Sequence, residues 1–217
     1  MRLDKKFLAR LLGVAENLIG DIKGLTFELN VDGGLQTFKE VLDERHKKKA
    51  MELATALTKE DDLGTVVRAH IHIEHELHDF IFFAAPARDH LKSTDKMEFS
   101  EKVTLALVLG LKSNLKPSLN AAGNLRNDFA HKLDMNLGED RLKNLIATLS
   151  PDSKQGYQRL LKEYLAMAEG AQNLSSEAKA FYLRRAQLSS FFLQLFMDVA
   201  NERHRLAFEM LQSIALH

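Results

Sequence analysis

Residues 176–215 read SEAKAFYLRRAQLSSFFLQLFMDVANERHRLAFEMLQSIA. The apolar side chains Phe181, Leu188, Phe191, Leu195, Val199, Leu206, Met210 and Ile214 recur here at spacings of three, four and seven. That periodicity lines them up along one stripe of a single long α-helix. Such a stripe serves as core or as a dimer interface, and core is the commoner use.

The chain upstream reads the same way. It has three prolines, Pro86, Pro117 and Pro151, each where a helix would start or stop. Ser150-Pro151-Asp152 is a helix opening: a cap, a proline at the first helical position and an acid in the first turn. Pro117 sits in the first turn of a helix reaching about Leu133, and Phe99 to Leu111 is a compact apolar helix. Thr58-Lys59-Glu60-Asp61 has the form of a capping box and predicts a helix running to about Ala85, with a short one over Ala87–Lys92. Helices are also expected over Leu3–Ile22 and Leu35–Leu57. Between them, Leu25 to Val31 alternates apolar and polar before Asp32-Gly33-Gly34. A lone strand has no partner, so an extended loop is expected there. The fold class is therefore all-α, an up-and-down helical bundle. A natural division is an N-terminal helical hairpin (1–57), a central four-helix unit (58–149) and a C-terminal hairpin (150–217), which together could form one domain.

The 217 residues contain no cysteine, which removes disulfides, thiolate metal sites and a cysteine nucleophile. The opening Met1-Arg2-Leu3-Asp4-Lys5-Lys6 leads into an apolar stretch broken by Arg10 and Glu16, a poor signal-peptide core. No run approaches the ~18 uninterrupted apolar residues of a membrane span. A cytoplasmic, membrane-free protein is expected. Lys and Arg number 30, as do Asp and Glu. This balance argues against a surface coated with phosphate contacts but allows a local basic groove. The basic clusters at 45–49, 184–185 and 203–205 read as solvated helix faces or helix ends.

One stretch carries chemistry: Leu125-Arg126-Asn127-Asp128-Phe129-Ala130-His131. Asn127 and His131 are four apart and share a helix face, while Leu125 and Phe129 can pack inward. An arginine, an asparagine and a histidine near a helix end suit phosphodiester cleavage in RNA. Imidazole can take a proton from a 2′-hydroxyl or return one to the leaving oxygen. Guanidinium can hold the charge that builds on phosphate oxygens, and the amide can orient the phosphate or the imidazole. With the 2′-oxygen as nucleophile, no metal or other cofactor is required. The same residue types also cap helix C-termini and pair with carboxylates such as Asp128 and Asp134.

The Arg126-x4-His131 spacing, with a polar residue directly after the arginine, resembles the motif of the HEPN superfamily. Phe99–Leu111 resembles the helix preceding that motif in the mannitol operon repressor-like branch. The helix carrying Glu74-His75-Glu76-Leu77 occupies the place of that branch's acidic amphipathic helix. The resemblance covers about 60–149 and neither terminal part. It implies a helical bundle that homodimerises, with the Arg and His of both protomers in a shared cleft that cleaves RNA without metal. It also implies a link to toxin–antitoxin or defence systems, with an antitoxin or regulatory protein as partner. Other members have lost catalysis and bind nucleotides or proteins. A non-catalytic regulator of the mannitol-repressor type is thus the alternative, although no helix-turn-helix is evident. By motif position, Arg126 and His131 are the expected catalytic pair and Asn127 assists.

His70-Ile71-His72-Ile73-Glu74-His75-Glu76-Leu77-His78-Asp79 is the second dense segment. Glu74, His75 and His78 are candidate ligands for a divalent metal, but no matching Glu-x-x-His lies on a second helix. If this helix packs beside Arg126–His131, Glu74 or Glu76 could pair with Arg126 or orient His131, and Asp128 is a further supporting carboxylate. Asp32-Gly33-Gly34 lacks the Lys-Ser/Thr of a phosphate loop, and no dinucleotide, zincin or EF-hand pattern occurs.

Overall fold

Helix ends in this protein are set largely by local side-chain caps. The computed structural model describes residues 44, 46–86, 91, 96–132, 137–166 and 175–215, with side chains to residue 209. Residues 46–57 form α1. Helix α2 spans Asp62–Ala84, and its N-cap is Asp61, whose carboxylate accepts from the Gly64 N–H at 2.7 Å. The expected cap, Thr58, instead donates its hydroxyl back to the Thr55 carbonyl at 2.8 Å. That side chain closes α1, so the opening of α2 falls to the acid three residues later. Ala85, before Pro86, is extended, as a residue preceding proline should be.

Helix α3, Phe99–Val108, opens with a capping box between Glu98 and Glu101. The chain leaves it through Gly110, whose φ of 104° favours glycine. A 3₁₀ turn, Ser113–Leu115, leads into α4, Lys116–His131, with Pro117 in its first turn. Helix α5, Glu139–Ala147, was not expected from the sequence. It has nine residues and buries Leu142 and Leu145, which with Ile146 and Leu149 recur at helical spacing, a signal the sequence does carry. Helix α6 is Pro151–Ala166, and Ser150 accepts from the Ser153 N–H at 3.2 Å as the predicted cap. Helix α7, Ser176–Ala215, is one helix of 40 residues. No strand occurs among the described residues. The readings over Leu3–Ile22, Leu25–Val31, residues 35–43 and, apart from Leu91, Ala87–Lys92 lie outside them.

Helix α7 is the spine. Its Leu188, Phe191, Phe192, Leu195, Phe196 and Val199 are fully buried, packed mainly against α2 and α6. Each such side chain stabilises the fold by roughly 1.5–3 kcal/mol. The stripe read from the sequence is thus mostly core, although Phe181 is exposed. One apolar cluster runs from Leu53 and Leu57 of α1 through α2–α5 to α7. No helix among the described residues is long and apolar enough to cross a membrane.

A polar clasp joins α1, α2 and α7. Glu76, 2 % exposed, meets Lys49 at 2.7 Å and Arg203 at 3.2 Å. Burial alone would raise its pKa, but Arg203 and Lys49 outweigh burial and hold it below the ordinary range. Beside it, His46 stacks on Phe196 and meets His204 edge-on at 5.3 Å. Burial, with Arg203 behind it, pushes the His204 pKa down to about 3.

Candidate functional site

Helix α4 has two faces of opposite character. Leu119, Ala122 and Leu125 are buried in the core. On the other face Asn120, Asn124, Asn127 and His131 follow one another at offsets of four, three and four, all exposed. Three asparagines and Gly123 in eight residues are poor helix formers. Relative to alanine they cost the helix roughly 2–3 kcal/mol.

That stripe forms one wall of a cleft of about 630 Å³. Arg126, Asn127 and His131 all line it, so the three residues read from the sequence share one opening. All three are exposed. The Arg126 guanidinium donates through Nη1 to Asn127 Oδ1 at 2.9 Å. Among the described residues no carboxylate lies within ion-pair distance of Arg126.

The facing wall comes from α2 and the start of α3. His70 and Glu74 of α2 both line the cleft. His70 is 3 % exposed, with its ring centroid 4.2 Å from that of Phe99. Its pKa is lowered to about 4: burial dominates, Glu74 opposes, and Arg126 and Lys102 add to the lowering. The imidazole at the cleft wall is therefore neutral at ordinary pH. Glu74 is tied to Lys102 of α3 at 2.6 Å rather than to Arg126 or His131. Lys102 is itself nearly fully buried. Gly123 lets α3 and α4 approach: a Cβ there would lie 2.9 Å from Cδ1 of Phe99.

The other carboxylates named from the sequence go elsewhere. Glu76 turns to the α1–α7 clasp. Asp128 pairs with Lys132 at 2.7 Å and with Arg141, which ties the end of α4 to α5. Around the candidate metal ligands, His75 is exposed and 3.7 Å from Asp79. His78 lies against Phe82, while Glu74 points into the cleft. Among the described residues no group of three or more His, Asp or Glu side chains is arranged to hold a metal ion.

Of the residues lining the cleft, His70, Asn120 and Asn124 were not singled out by sequence reasoning, nor was Lys102, which pairs with Glu74 of the cleft wall. The asparagines carried a usable signal, since they continue the Asn127–His131 face backward by one and two turns. Lys102 carried none, because its partner lies 28 residues away. Comparison of the chain with protein-family models, with curated proteins and with solved structures gives no match.

Proposed function

We propose that the protein is a metal-independent endoribonuclease of the HEPN type, with Arg126 and His131 as its catalytic pair and Asn127 assisting. The observation that supports this reading is the exposure of all three side chains on one polar cleft. In this mechanism His131 takes the proton of a ribose 2′-hydroxyl. The 2′-oxygen attacks phosphorus, the bond to the 5′-oxygen breaks, and the departing oxygen gains a proton from a second acid. A 2′,3′-cyclic phosphate remains on one product and a 5′-hydroxyl on the other. Arg126 offsets the negative charge that grows on the phosphate oxygens. Its hydrogen bond to Asn127 fixes the guanidinium before substrate arrives. A homodimer would bring a second His131 into the cleft as the acid, in a cytoplasmic protein whose activity a partner protein restrains.

The test is incubation of purified protein with total RNA and tRNA in EDTA, beside folded Arg126→Ala and His131→Ala variants. Cleavage by the wild type and by neither variant supports the proposal. No cleavage by any of the three moves the reading to the non-catalytic regulator, in which the same cleft holds an anion or a partner.

A further inference from the structure

Among the described residues, two carboxylates line the cleft, Glu74 and Glu98, beside one arginine, Arg126. With that balance the cleft should repel a phosphodiester, and the arginine should be lost to an acid, unless both acids are engaged elsewhere. Glu98 is engaged in the capping box that opens α3, where the positive end of the helix dipole offsets its charge. Glu74 is engaged by Lys102, whose ammonium donates to Oε1 at 2.6 Å.

Lys102 stands behind the cleft wall, its side chain 6 % exposed against 30 % for Glu74. Taking an ammonium out of water is costly, so a buried lysine on a partly solvated carboxylate is a weak stabilising device. The position of the pair gives it another use. Burial apart, the charges acting on the His70 imidazole are those of Glu74, Arg126 and Lys102. The acid and two cations able to pair with it therefore surround one ring. Arg126 is exposed and bonded to the Asn127 amide, a neutral partner that a carboxylate would outcompete.

We infer that Lys102 is a positioning residue: by holding Glu74 in the wall it keeps that carboxylate from capturing Arg126, and so leaves the guanidinium on Asn127 for a phosphate. The inference rests on the ribonuclease reading in so far as that reading puts a phosphodiester on Arg126.

The experiment measures binding of a fluorescein-labelled, single-stranded 2′-O-methyl oligouridylate to the full chain, by anisotropy at one fixed salt concentration. This RNA has no 2′-hydroxyl to attack, so binding is read without cleavage. Lys102→Met should weaken binding about 10-fold, the loss of one charge-assisted contact. Glu74→Gln should bind at least as tightly as the wild type. The double variant Lys102→Met with Glu74→Gln should return to within about two-fold of the wild type, because a neutral amide does not compete for the guanidinium. In an Arg126→Ala chain, Lys102→Met should weaken binding no further, since Lys102 acts through Arg126. A lysine that helped merely by its own charge would still weaken binding there. Lys102→Gln keeps a donor to Glu74 without the charge. It stands in should Lys102→Met fail to fold by circular dichroism, and should weaken binding in the same direction.

Folded lysine variants that bind like the wild type would overturn the inference. So would a double variant as weak as the lysine variant alone, or a further loss in the Arg126→Ala chain. All-ribose RNA separates the two claims. Cleavage by the wild type together with any of these results removes the role of Lys102 alone. The expected binding pattern without cleavage leaves that role and removes the ribonuclease reading. Failure of the wild type to bind removes both.

Discussion

Lowering the pH from about 8 to about 5 should remove roughly 4 kcal/mol of folding stability, and buried His70 and half-buried His204 supply the loss. In the folded chain His70 has its pKa lowered to about 4 and His204 to about 3. In the unfolded chain both titrate near the ordinary value of about 6.5. Below that value the unfolded state binds protons that the folded state refuses, so stability falls as pH falls. It is fully present above about 6.5 and is lost progressively down to the folded values. At about pH 5 each group has crossed about 1.5 pH units, worth about 2 kcal/mol apiece. His72, also lowered by burial, acts in the same direction. The groups around His204 are Arg203, His46, Glu76 and Lys49, and those around His70 are Glu74, Arg126 and Lys102. Urea unfolding followed by circular dichroism at about pH 8, 6.5 and 5 measures the loss directly. A His204→Gln variant should lose only about half as much over the same interval. Stability that stays level between about pH 8 and 5, or a variant that keeps the full loss, would refute the reasoning.

Three further perturbations have defined outcomes. Glu76→Ala removes the buried carboxylate of the clasp and leaves Asp79, 3.1 Å from Arg203 and 3.8 Å from Lys49, as their remaining partner, and should cost about 1.5–3 kcal/mol in urea unfolding. Glu76→Gln, which keeps the shape, should cost less. Gly123→Ala gains about 1 kcal/mol of helix propensity but drives a methyl into the Phe99 ring. A loss of about 1–3 kcal/mol from overpacking should outweigh the gain and lower the melting temperature. Lys102→Met removes one of the cations that depress His70 while leaving Glu74 in place. The His70 imidazole, followed by NMR, should then titrate at a higher pH than in the wild type.

Much of the fold was legible because its signals are local. The seven-residue recurrence of apolar side chains defines α7, and Ser150 with Pro151 defines the start of α6. The start of α2 was misplaced because Thr58 and Asp61 both suit a cap, and the competing use of Thr58 at the end of α1 is invisible in sequence. At the site, helical spacing alone puts Asn127 and His131 on one face, whereas Arg126 lies about 100° round from Asn127 and its place in the same cleft is seen only in the structure. Glu74 and Glu76 illustrate the limit. They are two residues apart on one helix and so point about 200° apart. Only the packing of α3 and α7 decides that Glu74 faces the cleft and Glu76 the clasp. The burial that keeps His70 neutral comes from Phe99 on another helix and has no signature of its own.

The central step is attack by the 2′-oxygen, with His131 taking its proton. The direct measurement gives the wild type a short end-labelled RNA in EDTA, beside the same strand carrying a single 2′-deoxy sugar at the position that is cut. The account predicts cleavage of the all-ribose strand to a 2′,3′-cyclic phosphate, no cleavage at the deoxy position, and no cleavage of either strand by His131→Ala. Cleavage at the deoxy position, or a product ending in a 3′-hydroxyl, would contradict it.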